Sequence, residues 1–223
     1  PGDLVVTPDV PAAFTAHVLD AFRTRPLDTF SMALSGGSTA RSCYEHLADH
    51  SGTQVDWWKV DVYWGDERCV PHDHVDSNYC LAREALLDRV GAANATHLMR
   101  CTEGPDPYQL RLGDLGRIDL VHLGMGADGH TASLFPGSEA LDADPGRLVA
   151  MNEDPNLIHP YRRMTLTFAG IARAHLVVVT VSGADKADAL AAVAAGEDLP
   201  AARIEADRVV WLVDDAAAAG LAR

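Results

Sequence analysis

The run Ile118-Asp-Leu-Val-His-Leu-Gly124 is the feature that most narrows what this chain can become. Apolar residues at 118, 120, 121 and 123 alternate too little for a strand with one wet face, so the run reads as a buried strand. It breaks into glycines at 124, 126 and 129, and the turn between them carries Asp128 and His130. In open α/β sheets, ligands bind outside the carboxyl ends of the strands. This turn therefore places two titratable groups at a ligand-binding edge. Beyond it, Thr131 to Phe135 leaves room for at most a short helix before Pro136 and Gly137 interrupt it.

Gly124, Gly126 and Gly129 also match G-x-G-x-x-G, the dinucleotide fingerprint. That motif needs a long helix after its third glycine and an acidic residue at the end of the next strand. Pro136 removes the helix, and Asp142 and Asp144 fall in an Asp/Pro/Gly-rich loop. The match does not support a nicotinamide site, and no cofactor is expected.

The rest of the chain repeats the same strand-then-turn grammar. Leu4 to Val6 is a short first strand, and Thr7 is the expected cap of a helix with Pro8 at its first position. Thr29 to Leu34 and Val60 to Trp64 read as strands, each running into a polar turn. Ser77 caps a helix through Val90, and a short helix is expected over Tyr108 to Leu115. Further strands are expected at Leu148 to Met151, Arg163 to Phe168, Leu176 to Val181 and Val209 to Val213, with a helix from Ala184 to about Ala195. Strands alternating with helices predict an α/β fold: a mainly parallel, doubly wound sheet with helices on both faces. No internal repeat or linker-like tract appears, so residues 1–223 are expected to form a single domain.

Three turns carry chemistry besides the central one. Ser35-Gly36-Gly37-Ser38-Thr39 sits between a strand and a helix, where converging N–H groups, hydroxyls and a helix N-terminus suit a phosphate. The Walker A spacing is absent, and Ser38 as a plain N-cap is the bland alternative. Asp66-Glu67-Arg68 ends the Val60–Trp64 strand; such clusters are often solvated salt bridges, but this one falls at the ligand edge. Lys186 and Arg41 each stand in the first turn of an expected helix, where the macrodipole disfavours a cation. Two such helix starts in one sheet suggest an anion between them. His72-Asp73-His74-Val75-Asp76 has metal-ligand residue types without the spacing of a zincin or partner cysteines, so it reads as a polar loop and no metal is expected.

A net charge of −14 argues against a nucleic-acid groove or an anionic membrane surface as partner. It also means that a site for an anionic substrate must gather cations locally. No apolar run approaches the ~18 residues of a membrane span, and the N-terminus shows no signal-peptide pattern. Cys43, Cys69, Cys80 and Cys101 are widely spaced, with no C-x-x-C pair; they read as free thiols in a reducing compartment, the cytoplasm.

Four segments, in order, resemble the 6-phosphogluconolactonases: LSGGSTARSCYEHL (34–47), VYWGDERCVPHDHVDSNY (62–79), LGMGADGHTASLFPGS (123–138) and RMTLTFAGIARAHLVVVTVSGADKADAL (163–190). The resemblance covers nearly the whole chain; Ala40 replaces the proline that usually follows SGGST. It implies hydrolysis of 6-phospho-D-glucono-1,5-lactone to 6-phosphogluconate, with the phosphorylated sugar lactone as the small-molecule partner. It implies that Ser35, Gly36, Gly37, Ser38, Thr39, Arg163 and Lys186 surround the phosphate. Asp66 and Arg68 would line the sugar-acid side, with Asp128 and His130 at the reacting carbon and His130 as general base. Amino-sugar-phosphate deaminases and isomerases share the scaffold. They typically carry an aromatic residue at the position of Arg68 and a GHIAFNEP-like run where this chain has GHTASLFP. A sugar-phosphate-binding regulator without turnover is the alternative of a different class.

Overall fold

The computed structural model describes residues 2–221. Ten strands and seven α-helices follow one another as β1 (Asp3–Val6), α1 (Val10–Thr24), β2 (Phe30–Leu34), α2 (Ser38–His50), β3 (Val60–Trp64), β4 (Asp66–Arg68), α3 (Asn78–Ala82), α4 (Asp88–Val90), β5 (Ala95–Thr96), α5 (Asp106–Leu115), β6 (Ile118–Gly124), β7 (Val149–Asn152), β8 (Arg163–Leu166), α6 (Phe168–Ile171), β9 (Ala174–Val181), α7 (Ala187–Ala195) and β10 (Arg208–Val213). A π-helical segment, Arg83–Leu87, joins α3 to α4, so the helix capped by Ser77 runs on to Val90.

Seven strands form one parallel sheet in the order β1-β10-β9-β6-β2-β3-β5. β2 is buried at every residue, as are seven of the eight residues of β9, so both faces of the sheet are covered. From β2 the chain goes to β3 on one side, then returns to place β6 on the other. The carboxyl ends of β2 and β6 therefore flank the point where the winding reverses, the usual crevice of such sheets.

A second sheet was not legible in the apolar pattern. β4, β8 and β7 pair antiparallel, with Asp66 opposite Thr165 and Arg68 opposite Arg163. Gly65 joins it to the main sheet: its N–H donates to Leu34 O (2.8 Å) and its carbonyl accepts from Leu166 N (2.7 Å). The expected Arg163–Phe168 strand thus stops at Leu166, and Thr167 caps α6 through Gly170 N.

Two local expectations are corrected. The first helix starts at Val10 rather than Pro8: Asp9 is its cap, accepting from Ala12 N (2.9 Å), and Pro11 lies in its first turn. Thr7 stands two residues too early: its Oγ1 accepts from Asp9 N (3.2 Å), while its own N–H prolongs the β1 pairing by donating to Val213 O (2.9 Å). The cysteines are not all free thiols either. Cys69 and Cys101 form a disulfide, while Cys43 and Cys80 are free and buried. The bridging pair lies 32 residues apart with no local motif, and only the fold brings the end of β4 beside the turn at 101–103.

Candidate active site

Four strand ends meet around one cavity of about 280 Å³: those of β3 with β4, β2, β6 and β9. Each supplies one of the turns that the sequence singles out. Ser35, Gly36, Gly37, Ser38 and Thr39 line it, as do Asp66, Arg68, His130, Arg163 and Lys186. Asp128 stands behind His130. Arg41 is not part of the site; it lies on the outer side of α2 with Glu84 (3.2 Å) and Glu45 (3.9 Å), so the expected pairing of two helix-start cations is Lys186 alone.

The acidic-basic turn Asp66-Glu67-Arg68 is a short strand, and its period of two sorts the three side chains. Asp66 and Arg68 point to the cavity; Glu67 points away and is buried. Glu67 accepts from the backbone N–H groups of Arg68, Asn78 and Tyr79 and from Ser77 Oγ, tying the strand to the start of α3. Burial pushes its carboxyl above the ordinary range, and those hydrogen bonds oppose the shift. Asp66 is fixed on both oxygens: Ser133 Oγ donates to Oδ2 (2.6 Å) and Asn78 Nδ2 to Oδ1 (3.1 Å).

The two guanidinium groups have spare capacity. Arg68 gives Nη1 to Asp76 O (2.7 Å) and Arg163 gives Nη2 to Pro160 O (3.0 Å), and Nε of each is buried with no protein partner. Burial makes the Arg163 cation less favourable than usual; Asp66 offsets part of this, while neighbouring Arg68 adds to it. Lys186 adds a third cation, held by Asp185 at 3.0 Å. The acidic chain does gather positive charge where its cavity lies.

His130 is held by a compact turn. Gly126 N donates to His130 O (2.9 Å), and Thr131 Oγ1 donates to Gly124 O (2.9 Å). A β-carbon at Gly126 would fall 2.1 Å from His130 Nδ1 and 2.5 Å from Asp128 Oδ1, so only glycine lets the ring and carboxylate close over the backbone. His130 Nδ1 meets Asp128 Oδ1 at 2.6 Å. Burial would raise the Asp128 carboxyl, but its hydrogen bond and charge interaction with His130, with a further bond from His159, hold it well below the usual range. With Nδ1 committed to Asp128, Nε2 is the atom left to take a proton. The segment after the turn is not helical; Thr131 pairs with Leu134 in an isolated bridge.

Behind the Ser35–Thr39 loop lies a buried network that the sequence reading missed. Tyr44 Oη accepts from Ser35 N (2.7 Å) and lies 2.9 Å from His122 Nδ1, whose Nε2 lies 2.9 Å from Thr180 Oγ1. It links α2, β6 and β9 to the first residue of the loop. His159 and Asn78 were also missed as cavity residues. The signals were weak: one histidine in an irregular loop, and one asparagine beside a helix cap.

Asp128, His130 and His159 offer ligand atoms within 4.8 Å of one another. The donor types suit a divalent ion, but each Asp128 oxygen already faces an imidazole nitrogen. His72 and His74 are no part of this group; His74 Nδ1 accepts from Asp76 N (3.1 Å) in a polar loop, as expected.

The model of the glucosamine-6-phosphate isomerase/6-phosphogluconolactonase family matches residues 6–211. The chain belongs to this family. The 6-phosphogluconolactonase of Nostoc sp. is 39% identical, over 97% of each chain. The crystal structure of 6-phosphogluconolactonase from Leishmania guyanensis superposes with a TM-score of 0.85 at 27% identity, over the whole of both chains. A monomeric glucosamine-6-phosphate deaminase superposes with a TM-score of 0.81 at 17% identity, over 98% of this chain and 99% of that one, which shows a shared fold alone. Within the family, the similarity at the level of sequence is to lactonases. Among the described residues no helix is long and apolar enough to cross a membrane.

Proposed function

We propose that this chain hydrolyses 6-phospho-D-glucono-1,5-lactone to 6-phosphogluconate, in the oxidative part of the pentose phosphate route. The observation that carries the reading is an imidazole–carboxylate pair on the wall of a small cavity whose other walls hold Arg68, Arg163, Lys186 and the Ser35–Thr39 loop. The named relatives support it, as does Arg68 at the position where deaminases typically carry an aromatic residue.

In the proposed mechanism the phosphate lies against the Ser35–Thr39 loop, with Lys186 and Arg163 as countercharges. Asp66 and Arg68 face the sugar hydroxyls and the ring ester. His130 Nε2 takes a proton from water as its oxygen attacks C1, and Asp128 stabilises the resulting imidazolium. The carbonyl oxygen becomes an oxyanion, stabilised by the nearby cations and by N–H groups of the glycine turn. The C1–O5 bond then breaks, and the imidazolium returns its proton to O5, which leaves as the hydroxyl. No covalent enzyme intermediate is required. We place the reaction in the cytoplasm on the strength of its sugar-phosphate substrate, which does not cross a bilayer; the Cys69–Cys101 disulfide withdraws the free-thiol argument for that compartment.

The test is a hydrolysis assay on enzymatically generated phospholactone, with the spontaneous opening of the ester subtracted. Phospholactone should be hydrolysed far faster than plain gluconolactone. Equal kcat/KM for the two would remove the phosphate assignment. Ligand-dependent melting with no product would identify a binding protein instead.

A further inference from the structure

The loop between β7 and β8 has no motif and no part in the mechanism above, yet it delivers a second imidazole to the catalytic carboxylate. His159 Nε2 lies 3.3 Å from Asp128 Oδ2, the oxygen that His130 does not use. The two imidazole rings are 4.5 Å apart and meet edge to face, and the His159 ring stacks on buried Phe135 at 5.0 Å. The loop is built to hold it there. Buried Asp154 accepts from the backbone N–H groups of Asn156, Ile158 and His159 at 2.9, 3.0 and 2.9 Å, curling the chain so that the histidine faces inward. A histidine placed by chance in a solvated loop would not have its backbone anchored by a buried carboxylate and its ring by an aromatic platform.

We propose that His159 is a positioning residue for the lactonase reaction, donating Nε2–H to Asp128 so that the carboxylate is locked in the plane that orients His130. A carboxylate bonded through one oxygen turns readily about its Cβ–Cγ bond. Bonded through both, it presents Oδ1 to His130 Nδ1 in one geometry and fixes the tautomer that leaves Nε2 free. The charged groups facing His130 are Asp128 on its own turn, His159, Arg163 of β8, Asp66 and Arg68 of β4, and Lys186 after β9.

The inference rests on the lactonase reading, so its test has an arm that needs no substrate. In the intact protein, long-range proton–nitrogen spectra of the imidazoles should show the Nδ1–H form for His130 and the Nε2–H form for His159. An Nδ1–H form at His159 overturns the proposal whatever the enzyme hydrolyses. In the kinetic arm, His159→Phe keeps the stacking on Phe135 and removes the donor. It should lower kcat several-fold to tenfold with KM nearly unchanged, and move the acid limb of kcat/KM to higher pH, because a carboxylate with one donor fewer holds the imidazolium more tightly. His159→Gln, whose amide can donate to Oδ2, should restore most of kcat. A His159→Phe enzyme with the parent's kcat and acid limb would show a purely packing role. A change confined to KM would place His159 on the substrate. Either result overturns the assignment.

Discussion

Replacing Gly36 by alanine tests how the cavity is assembled. A methyl group built on Gly36 lands 1.9 Å from Oδ1 and 2.5 Å from Cγ of Asn78. Gly36 is not among the residues with positive φ, so alanine suits its backbone and the whole effect is steric. Asn78 cannot simply turn away. It is buried, and its Nδ2 donates to Asp66 O (2.8 Å) and Asp66 Oδ1 (3.1 Å). Reaching ordinary contact needs a shift of roughly 1.5 Å, shared between the loop and the Asn78–Asp66 pair. Overpacking of this kind costs about 1–3 kcal/mol. At about 2–4 °C per kcal/mol for a chain of this size, Tm should fall by roughly 2–12 °C. Because Asp66 moves with Asn78, kcat/KM should fall by about 10–100-fold, the cost of misplacing a site by about an ångström. The assay is phospholactone hydrolysis with a thermal melt alongside. A Gly36→Ala protein with the parent's Tm and kcat/KM would refute the reasoning, by showing that the loop absorbs the methyl group on its own.

Four further outcomes follow from the same geometry. His130→Asn keeps the shape of the turn but cannot act as a base near neutrality, so kcat should fall by about 10²–10⁴-fold with Tm nearly unchanged; a folded variant with full kcat would leave Asp128 as the base. Activity should survive exhaustive chelation and dialysis, since the Asp128 oxygens already face imidazole nitrogens; loss with recovery on adding one divalent ion would make the cluster a metal site. Burial lowers the His122 imidazole to about 3, so the unfolded chain binds a proton below about pH 6.5 that the native state refuses. Stability should therefore fall as pH drops from about 6.5 towards 3, by up to about 1.4 kcal/mol per pH unit, and urea unfolding of His122→Gln between pH 6 and 4 should show a correspondingly shallower slope. Cys101→Ser opens a loop of 32 residues, and under oxidising conditions it should lose about 2–4 kcal/mol; the difference from the parent should vanish in reductant.

The sequence by itself determined the elements and the turns. β2, β3, β6, β9 and β10 lie within a few residues of their expected positions, because a buried strand must be apolar along its own length. The glycine-rich turns at 35–39 and 124–130 were legible for a similar reason: close backbone approach excludes a side chain, which writes itself locally as glycine. Their meeting at one sheet edge followed from the parallel order that alternating strands and helices impose. What only the tertiary structure decided are pairings between distant segments. The antiparallel sheet that sets Arg163 beside Arg68, the Asn78 and Ser133 anchors on Asp66, the Tyr44–His122–Thr180 network and the Cys69–Cys101 bridge each join residues that have no sequence relation to one another. Arg41 makes the same point in reverse. Its place after SGGST matches that of a site cation, yet one turn of α2 carries its side chain out to Glu84. A polar side chain in a loop has many partners of nearly equal local merit, and only the burial accompanying the whole fold makes one of them decisive. His159 belongs to that class: its sequence surroundings read as an irregular loop, and its partner, Asp128, lies 31 residues away.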